Sequence, residues 1–238
     1  LPGVQIVERA YRRVPANDLS RARIGVATNS TTPTNHLGLT GEGVLVGVNE
    51  FGVDATHPDL SGRVFGAAAD LIDLSGHGTH VAAIIAGSGE ASTNVLNARG
   101  SVNPGTNGQY RGIAPAAQLY VQDLNLPDET LQESAVLNGT FISHNSWNYI
   151  GSGSYSLAAA SFDAAVRDAL PGQQGSQAVM FVFPTGNSGD GSDSGLSGTA
   201  GSVLSPATAK NVLSVGAVEL PRDITNVVEK ISNGFTNT

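Results

Sequence analysis

Short apolar runs recur along the chain and are separated by polar or small-residue segments. Residues 44–48 form a continuous apolar run, which is typical of a parallel strand buried on both faces. Comparable runs predict further strands, and the run at residues 64–66 predicts only the beginning of a strand. These runs lie at residues 64–66, 118–122, 141–146, 178–183 and 212–218.

Helical patterns fill the gaps between these strands. Residues 81–86 have the length and small-residue composition of a buried helix on which neighbouring elements can pack closely. Residues 128–137 begin with acidic side chains, as the first turn of a helix favours, and residues 157–170 are amphipathic and stop at Pro-Gly. The alternation predicts an α/β fold, with a mainly parallel sheet and helices on both faces.

Two stretches are less regular. Residues 1–40 include one candidate strand, at residues 1–7, and a surface helix that starts near Asn17. Residues 88–112 are rich in Gly, Asn and Ser, and this composition predicts a long surface loop.

Composition then excludes several classes of function. With 238 residues, of which 40% are hydrophobic, the chain can form one domain with a large core or at most two small ones. A net charge of −8 argues against a nucleic-acid surface. The absence of cysteine excludes disulfides, thiolate catalysis and cysteine-based zinc sites. No apolar run reaches the roughly 20 residues that span a membrane, and a start at Leu1 predicts a processed chain.

Three polar side chains stand at places where chemistry is expected. His77 lies between Gly76 and Gly78 at the start of the small-residue helix, where another chain could approach its ring. Glu50 and Asn187 each follow a predicted strand, and α/β sheets place their chemistry beyond the carboxyl ends of strands. An acid, a histidine and an amide are the supporting parts of an acyl-transfer site.

Each of these side chains also has a simpler interpretation. A histidine at the start of a helix can cap a core helix without taking part in chemistry. A single glutamate after a strand is ordinarily a solvated acid in a loop. The remaining motifs distinguish between the two interpretations.

Several motifs, in the same order, resemble the subtilisin-like serine proteases, or subtilases. The histidine motif Gly-His-Gly-Thr-His-Val-Ala is highly specific, and the order of acid, then histidine, with serine last, is that of subtilisin. Segments 17–22 and 145–147 are similar to secreted bacterial subtilases related to oxidatively stable alkaline proteases. The other segments that carry the resemblance are 46–52, 57–60, 76–82, 111–115, 185–187, 205–212 and 214–217.

The resemblance implies a serine endopeptidase and a role for each matching residue. Glu50 stands where the family has its catalytic aspartate, His77 matches the general base, and Asn187 matches the side-chain donor to the oxyanion. Two further segments match regions that bind substrate, one lining the S1 pocket and one pairing with the substrate as an added strand. They are Ser146, Trp147 and Asn148 for the pocket, and Gln122, Asp123 and Leu124 for the strand.

The resemblance also implies partners, location and domain organisation. It implies a protein or peptide substrate, a secreted bacterial protein and, as in many family members, structural Ca²⁺, with no nucleic-acid or membrane partner. Residues 190–194 offer oxygen ligands, but their spacing is not that of an EF-hand, and a solvated acidic loop is the favoured interpretation. Residues 1–40 are expected to be an N-terminal extension or propeptide junction, and residues 41–238 the N-terminal portion of the catalytic domain.

The sequence departs from the family pattern at the orienting acid and around the S1 pocket. Glu50 is one methylene longer than aspartate, so its carboxylate must fold back or the strand end must shift. Asp54 is a less favoured substitute, because the motif places it in a loop. Asn148 stands where the family has glycine, and Pro184-Thr185 replaces paired alanines, so the S1 preference does not follow from the sequence.

A second departure is the missing nucleophile. No Gly-Thr-Ser-Met-like motif and no Gly-x-Ser-x-Gly motif occurs, and Ser88, Ser152 and Ser188 do not resemble the family's serine. The expectation is that a companion C-terminal chain of the same precursor supplies the serine. The alternative is a pseudoprotease that keeps the fold for peptide binding or assembly, with Glu50 as the mark of lost catalysis.

Overall fold

The computed structural model describes residues 20–22, 24–28, 36–94, 107–187, 200–217, 230–231 and 234–235. The chain forms two compact units, one made of residues 39–88 and 112–218, and the other of residues 1–38, 89–111 and 219–238. All the candidate site residues lie in the first unit. The division of function at residue 40 stays a prediction, and the candidate strand at 1–7 and loop at 190–194 lie outside the described residues.

A six-stranded parallel sheet forms the centre of the first unit. Its strand order is β2-β3-β1-β4-β5-β6, and every pairing between neighbours is parallel. The predicted α/β fold with a mainly parallel sheet is therefore confirmed. The strands are β1 (Leu45–Glu50), β2 (Val64–Gly66), β3 (Gln118–Asp123), β4 (Ile142–Asn145), β5 (Met180–Pro184) and β6 (Leu213–Val215).

Among the described residues of this unit, three α-helices accompany the sheet. They are α1 (His77–Ala86), α2 (Asp128–Leu137) and α3 (Leu157–Ala165). The prediction of a helix over 157–170 is wrong at its end, because the N–H of Ala169 bonds to the Gln177 oxygen instead of continuing the helical ladder. The Ser156 side chain caps its start, accepting from the N–H of Ala159.

The described residues of the second unit include a 3₁₀ helix and two short strands. A 3₁₀ helix spans Glu90–Asn94, so the prediction that residues 88–112 are entirely loop is wrong at this point. The 3₁₀ turn begins with Glu90, and an acid in the first turn favours a helical start. The strands β7 (Lys230–Ile231) and β8 (Gly234–Phe235) pair antiparallel.

Helices cover both faces of the sheet because side chains alternate along each strand. Val46 and Val48 of β1 point to the face where Ala82 and Ala86 of α1 pack. Phe162 of α3 packs on the opposite face, where it forms edge-to-face pairs with two phenylalanines of β5, Phe181 and Phe183. The small side chains of α1 let it approach the sheet closely at the strand that ends in Glu50.

Candidate active site

The candidate residues gather at the carboxyl ends of the parallel strands. In register, the last residue of β1, Glu50, lies beside the last residue of β3, Asp123. Asn49 lies beside Asn145, the last residue of β4, on the other side. Because parallel strands end at one edge of the sheet, polar side chains from separate parts of the sequence meet there.

Glu50 and His77 form a hydrogen-bonded pair at this edge. The Glu50 side chain is fully buried, and its Oε2 lies 2.9 Å from Nδ1 of His77. His77 is the first residue of α1, and its side chain is 53% exposed. Because Nδ1 is engaged by the carboxylate, Nε2 is the ring nitrogen left to exchange a proton with a reacting group.

The surroundings of Glu50 oppose its ionisation. Burial raises the pKa of Glu50 above its ordinary value, while the hydrogen bond and the charge of His77 act in the opposite direction. The nearby charge of Asp73 raises this pKa further. Within the described part of the chain, Oε1 of Glu50 is buried and has no hydrogen-bond partner. Holding Glu50 as a carboxylate therefore costs folding free energy, as is common for functional acids.

Asp54, the less favoured substitute for Glu50, faces a different partner. Its Oδ1 accepts hydrogen bonds from the N–H and the hydroxyl of Thr56, at 2.9 Å and 2.6 Å. Those bonds lower the pKa of Asp54. The carboxylate on His77 is that of Glu50, so the strand-end residue is the one that the structure pairs with the ring.

The closeness of α1 to the end of β1 depends on two glycines. A Cβ on Gly78 would lie 1.9 Å from the backbone oxygen of Gly52 and 3.2 Å from Cβ of Glu50. Gly52 itself has a φ of +111°, and a Cβ there would lie 2.1 Å from the Ile72 oxygen. The missing side chain of Gly78 lets the first turn of α1 lie against the backbone of Gly52, where Glu50 and His77 meet at hydrogen-bond distance, and the missing side chain of Gly52 leaves room for the oxygen of Ile72.

Replacing Gly78 by alanine is therefore expected to destabilise the protein by about 3 kcal/mol, since backbone atoms must move to admit the methyl group. The midpoint of urea unfolding measures the change. Gly172→Ala is the matched control, because nothing lies within 4 Å of a Cβ at that position. A Gly78→Ala protein that is as stable as the control would show that this contact is not close in solution.

Asn187 lies three residues beyond β5 and has an exposed side chain. Gly186 precedes it with a φ of +104°, and the N–H of Thr185 bonds to the oxygen of Val215, 2.9 Å away. No hydrogen bond joins Asn187 to Glu50 or His77, all three of which are described. The structure brings the acid and the histidine together and places the amide beyond the end of β5, two strands from β1 in the sheet.

The three residues predicted to line the S1 pocket follow β4. A Cβ on Gly186 would lie 3.7 Å from Nδ2 of Asn148, so Asn148 is beside the residue that precedes Asn187. Trp147 packs into the core instead, with its ring centroid 5.2 Å from that of Phe183. Ser146 is partly buried. Of the three residues, Asn148 is the one whose side chain lies next to the segment that carries Asn187.

The three residues predicted to pair with substrate lie at the end of β3. Gln122 and Asp123 pair with β1, and the N–H of Leu124 bonds to the backbone oxygen of Glu50 at 3.1 Å. On the other side of β3, the strand β2 ends opposite Val121. Within the described sheet, Gln122 and Asp123 therefore have no strand partner on that side.

Asp73 and Thr79 belong to the site but were assigned no role by the sequence analysis. Asp73 accepts hydrogen bonds from the N–H groups of Ser75, Gly76 and Thr79, at the start of the helix that carries His77. The sequence feature that could have indicated this network is an aspartate just before a helix start, followed two residues later by a serine.

Among the described residues, no group of three or more His, Cys, Asp or Glu side chains could hold a metal ion. The same residues include no helix with the length and apolar character needed to cross a membrane.

Comparisons with known proteins give a consistent result. The model of the peptidase S8 subtilase family matches residues 41–234. Subtilisin Savinase of Lederbergia lenta is 30% identical over 201 residues, which cover 82% of this chain and 63% of that protein. Serine protease AprX of Bacillus subtilis (strain 168) is 31% identical over 231 residues, which cover 87% of this chain and 46% of that protein.

A solved structure of a cold adapted subtilisin-like serine proteinase is 22% identical and superposes with a TM-score of 0.48, covering 76% of this chain and 57% of that chain. The chain thus spans from 46% to 63% of the length of the two relatives above.

Proposed function

Because this chain belongs to the subtilase family, we propose that it provides the acid and the histidine of a serine endopeptidase, which hydrolyses peptide bonds through an acyl-enzyme. The observation that supports the proposal most directly is the 2.9 Å contact between Oε2 of Glu50 and Nδ1 of His77. A buried carboxylate on one ring nitrogen and an exposed ring are what a general base at this position needs.

In the proposed mechanism, Nε2 of His77 accepts the proton of the attacking serine hydroxyl and later gives it to the leaving amine. Glu50 fixes the ring through Nδ1 and stabilises the imidazolium that forms. Asn187 donates its side-chain N–H to the oxygen of the tetrahedral intermediate. The positive charge that develops on His77 is next to the buried carboxylate of Glu50.

We propose that the serine lies on a segment outside these 238 residues. Apolar side chains on the β5–β6 part of one sheet face, which α1 does not cover, support this proposal. Met180, Leu213 and Val215 are on the same face as Val46 of β1, yet they are 53%, 52% and 48% exposed. Large apolar side chains in such a cluster ordinarily contact another element, and this face continues from the one that α1 covers. A companion segment on it would lie beside the helix of His77.

The proposed substrate is a protein chain bound in an extended form. The open side of Gln122 and Asp123 provides a place for strand pairing. Asn148, beside Gly186, adds a polar group to the wall of the proposed S1 pocket. The direct test is hydrolysis of an unfolded protein substrate by the complete protein, meaning these residues together with the segment that carries the serine.

Asn187→Ala is expected to lower kcat of the complete protein by about 10²-fold to 10³-fold, because one oxyanion donor is removed. KM should change little, since the oxyanion forms only after binding. The control is Asn138→Ala, a change at an asparagine whose side chain bonds to Ser134 at the end of α2. An Asn187→Ala protein with unchanged kcat would remove this residue from the mechanism.

Glu50→Asp is expected to lower kcat by about 10²-fold, because the carboxylate retracts by one carbon–carbon bond from a ring it already contacts, and roughly 1 Å of misplacement can have this effect. The measurement is the ratio of kcat for the two proteins. A rise in kcat would instead show that glutamate is a poor orienter. No activity in either protein, with the serine present, would favour the pseudoprotease.

Secretion and calcium complete the proposal as expectations. The resemblance to alkaline proteases supports export. Residues 190–194, which offer oxygen ligands but for which a solvated acidic loop was the favoured interpretation, lie outside the described residues, and the described ones offer no carboxylate cluster for the ion.

A further inference from the structure

The carboxylate of Asp73 uses both of its oxygens at the start of α1. Oδ1 accepts from the N–H and hydroxyl of Ser75, both at 2.9 Å, and from the N–H of Gly76 at 2.7 Å. Oδ2 accepts from the N–H of Thr79 at 2.8 Å and from its hydroxyl at 2.7 Å. Burial opposes ionisation of Asp73, but these bonds outweigh it and hold the pKa of the carboxyl well below its ordinary value.

One branch of this network reaches the backbone of His77. The hydroxyl of Ser75, which donates to Asp73, accepts from the N–H of His77 at 3.1 Å. Gly76, between them, has a φ of +78°. The Ser75 hydroxyl therefore links the backbone N–H of His77 to the Asp73 carboxylate, and this link helps to fix the orientation of the His77 backbone.

The other branch reaches the loop after β1. The hydroxyl of Thr79, which donates to Oδ2 of Asp73, accepts from the N–H of Asp54 at 2.9 Å. The same loop passes Gly52, whose oxygen lies against Gly78. Thr79 thus connects the first turn of the His77 helix to the backbone four residues after Glu50.

From this geometry we propose that Asp73 and Thr79 are positioning residues, which hold His77 in register with Glu50 by tying the first turn of α1 to the loop after β1. The proposal rests on the proposed function for its catalytic meaning. A helix cap alone would satisfy N–H groups within its own helix. The bond from Asp54 to Thr79 instead joins the two elements that carry the acid and the histidine.

The test compares four variants of the complete protein. Thr79→Val removes the bridging hydroxyl at nearly constant shape, Thr79→Ser keeps it, and Asp73→Asn removes one of the two acceptor oxygens. Asp163→Asn is the matched control, because Asp163 also accepts several bonds, from Lys210, Asn211 and Tyr155, far from His77 along the sequence. All four variants are compared by kcat, KM and unfolding midpoint.

We expect Thr79→Val and Asp73→Asn to lower kcat by about 10-fold to 100-fold with little change in KM, since a misplaced base affects the chemical step. Thr79→Ser should restore most of the loss. Asp163→Asn should lower the unfolding midpoint and leave kcat unchanged. The ¹⁵N shifts of the His77 ring at alkaline pH should move toward those of a free histidine in Thr79→Val and Asp73→Asn only.

Two results would overturn the proposal. The first is that Thr79→Val and Asp73→Asn behave like Asp163→Asn, with reduced stability, normal kcat and unchanged ¹⁵N shifts. The second is that Thr79→Ser is as impaired as Thr79→Val. If the unmodified complete protein lacks peptidase activity, the proposed function fails, and the ¹⁵N shifts still decide whether Asp73 and Thr79 position the ring.

Discussion

Replacing His77 by alanine in the complete protein is expected to lower kcat by about 10⁶-fold, the scale on which removal of the histidine affects a triad that acts as a unit. The Glu50 carboxylate is fully buried and bonds to Nδ1 of His77, so it does not replace the exposed ring as the proton acceptor. The measurement is steady-state hydrolysis of a chromogenic peptide at saturating substrate.

His80→Ala is the matched control for this change. His80 lies on the same helix, one turn after His77, and its side chain is exposed. Both variants remove an imidazole from α1, so a difference in kcat between them reports the role of the ring at position 77. Equal activity of the two variants would be incompatible with His77 as general base.

Glu50→Gln is expected to lower kcat by about 10⁴-fold. The amide keeps the shape of the side chain but removes the charge that stabilises imidazolium, and it can hold the ring in the wrong tautomer. Glu42→Gln, at an exposed position just before β1, is the control. A Glu50→Gln protein that retained more than about a tenth of the activity would show that the carboxylate does not orient the histidine.

The same substitution is expected to stabilise the folded protein at neutral pH. Burial raises the pKa of Glu50 in the folded state, so its contribution to stability is fully present below the unfolded pKa of about 4.3 and is lost as the pH rises through the folded value. Glutamine has no such loss. The free energy of unfolding of Glu50→Gln relative to the unmodified protein should therefore increase from pH 4 to pH 8, as measured by urea titration.

A relative stability that stays constant or falls over this pH range would contradict the raised pKa. If Glu50→Gln raises the free energy of unfolding at neutral pH and also lowers kcat, Glu50 destabilises the folded protein while supporting catalysis, as is common in active sites.

Much of the fold could be predicted because the strands are apolar on both faces. The apolar run before Glu50 predicts a buried strand, which occurs as β1, and the small residues after His77 predict a buried helix, which occurs as α1. The end of the helix that starts at Leu157 could not be predicted, since it depends on a bond between Ala169 and Gln177. That bond is formed only after the chain has turned back toward β5.

The residues of the site could be predicted from motif and position, whereas their contacts could not. The sequence indicated that Glu50 and His77 belong together, but a longer acid left its reach open, and the structure gives the 2.9 Å contact. The network of Asp73 and Thr79 had no predicted role, because its meaning depends on Asp54, a residue 25 positions before Thr79. Spatial neighbours of this kind are set by the packing of Gly52 on Gly78.

The most direct test of the central claim is labelling of the complete protein with a serine-directed fluorophosphonate, read by intact mass and peptide mapping. The account predicts one label, on a serine outside residues 1–238, and loss of that label in His77→Ala. A label on a serine within these 238 residues, or no label when the companion segment is present, would contradict it.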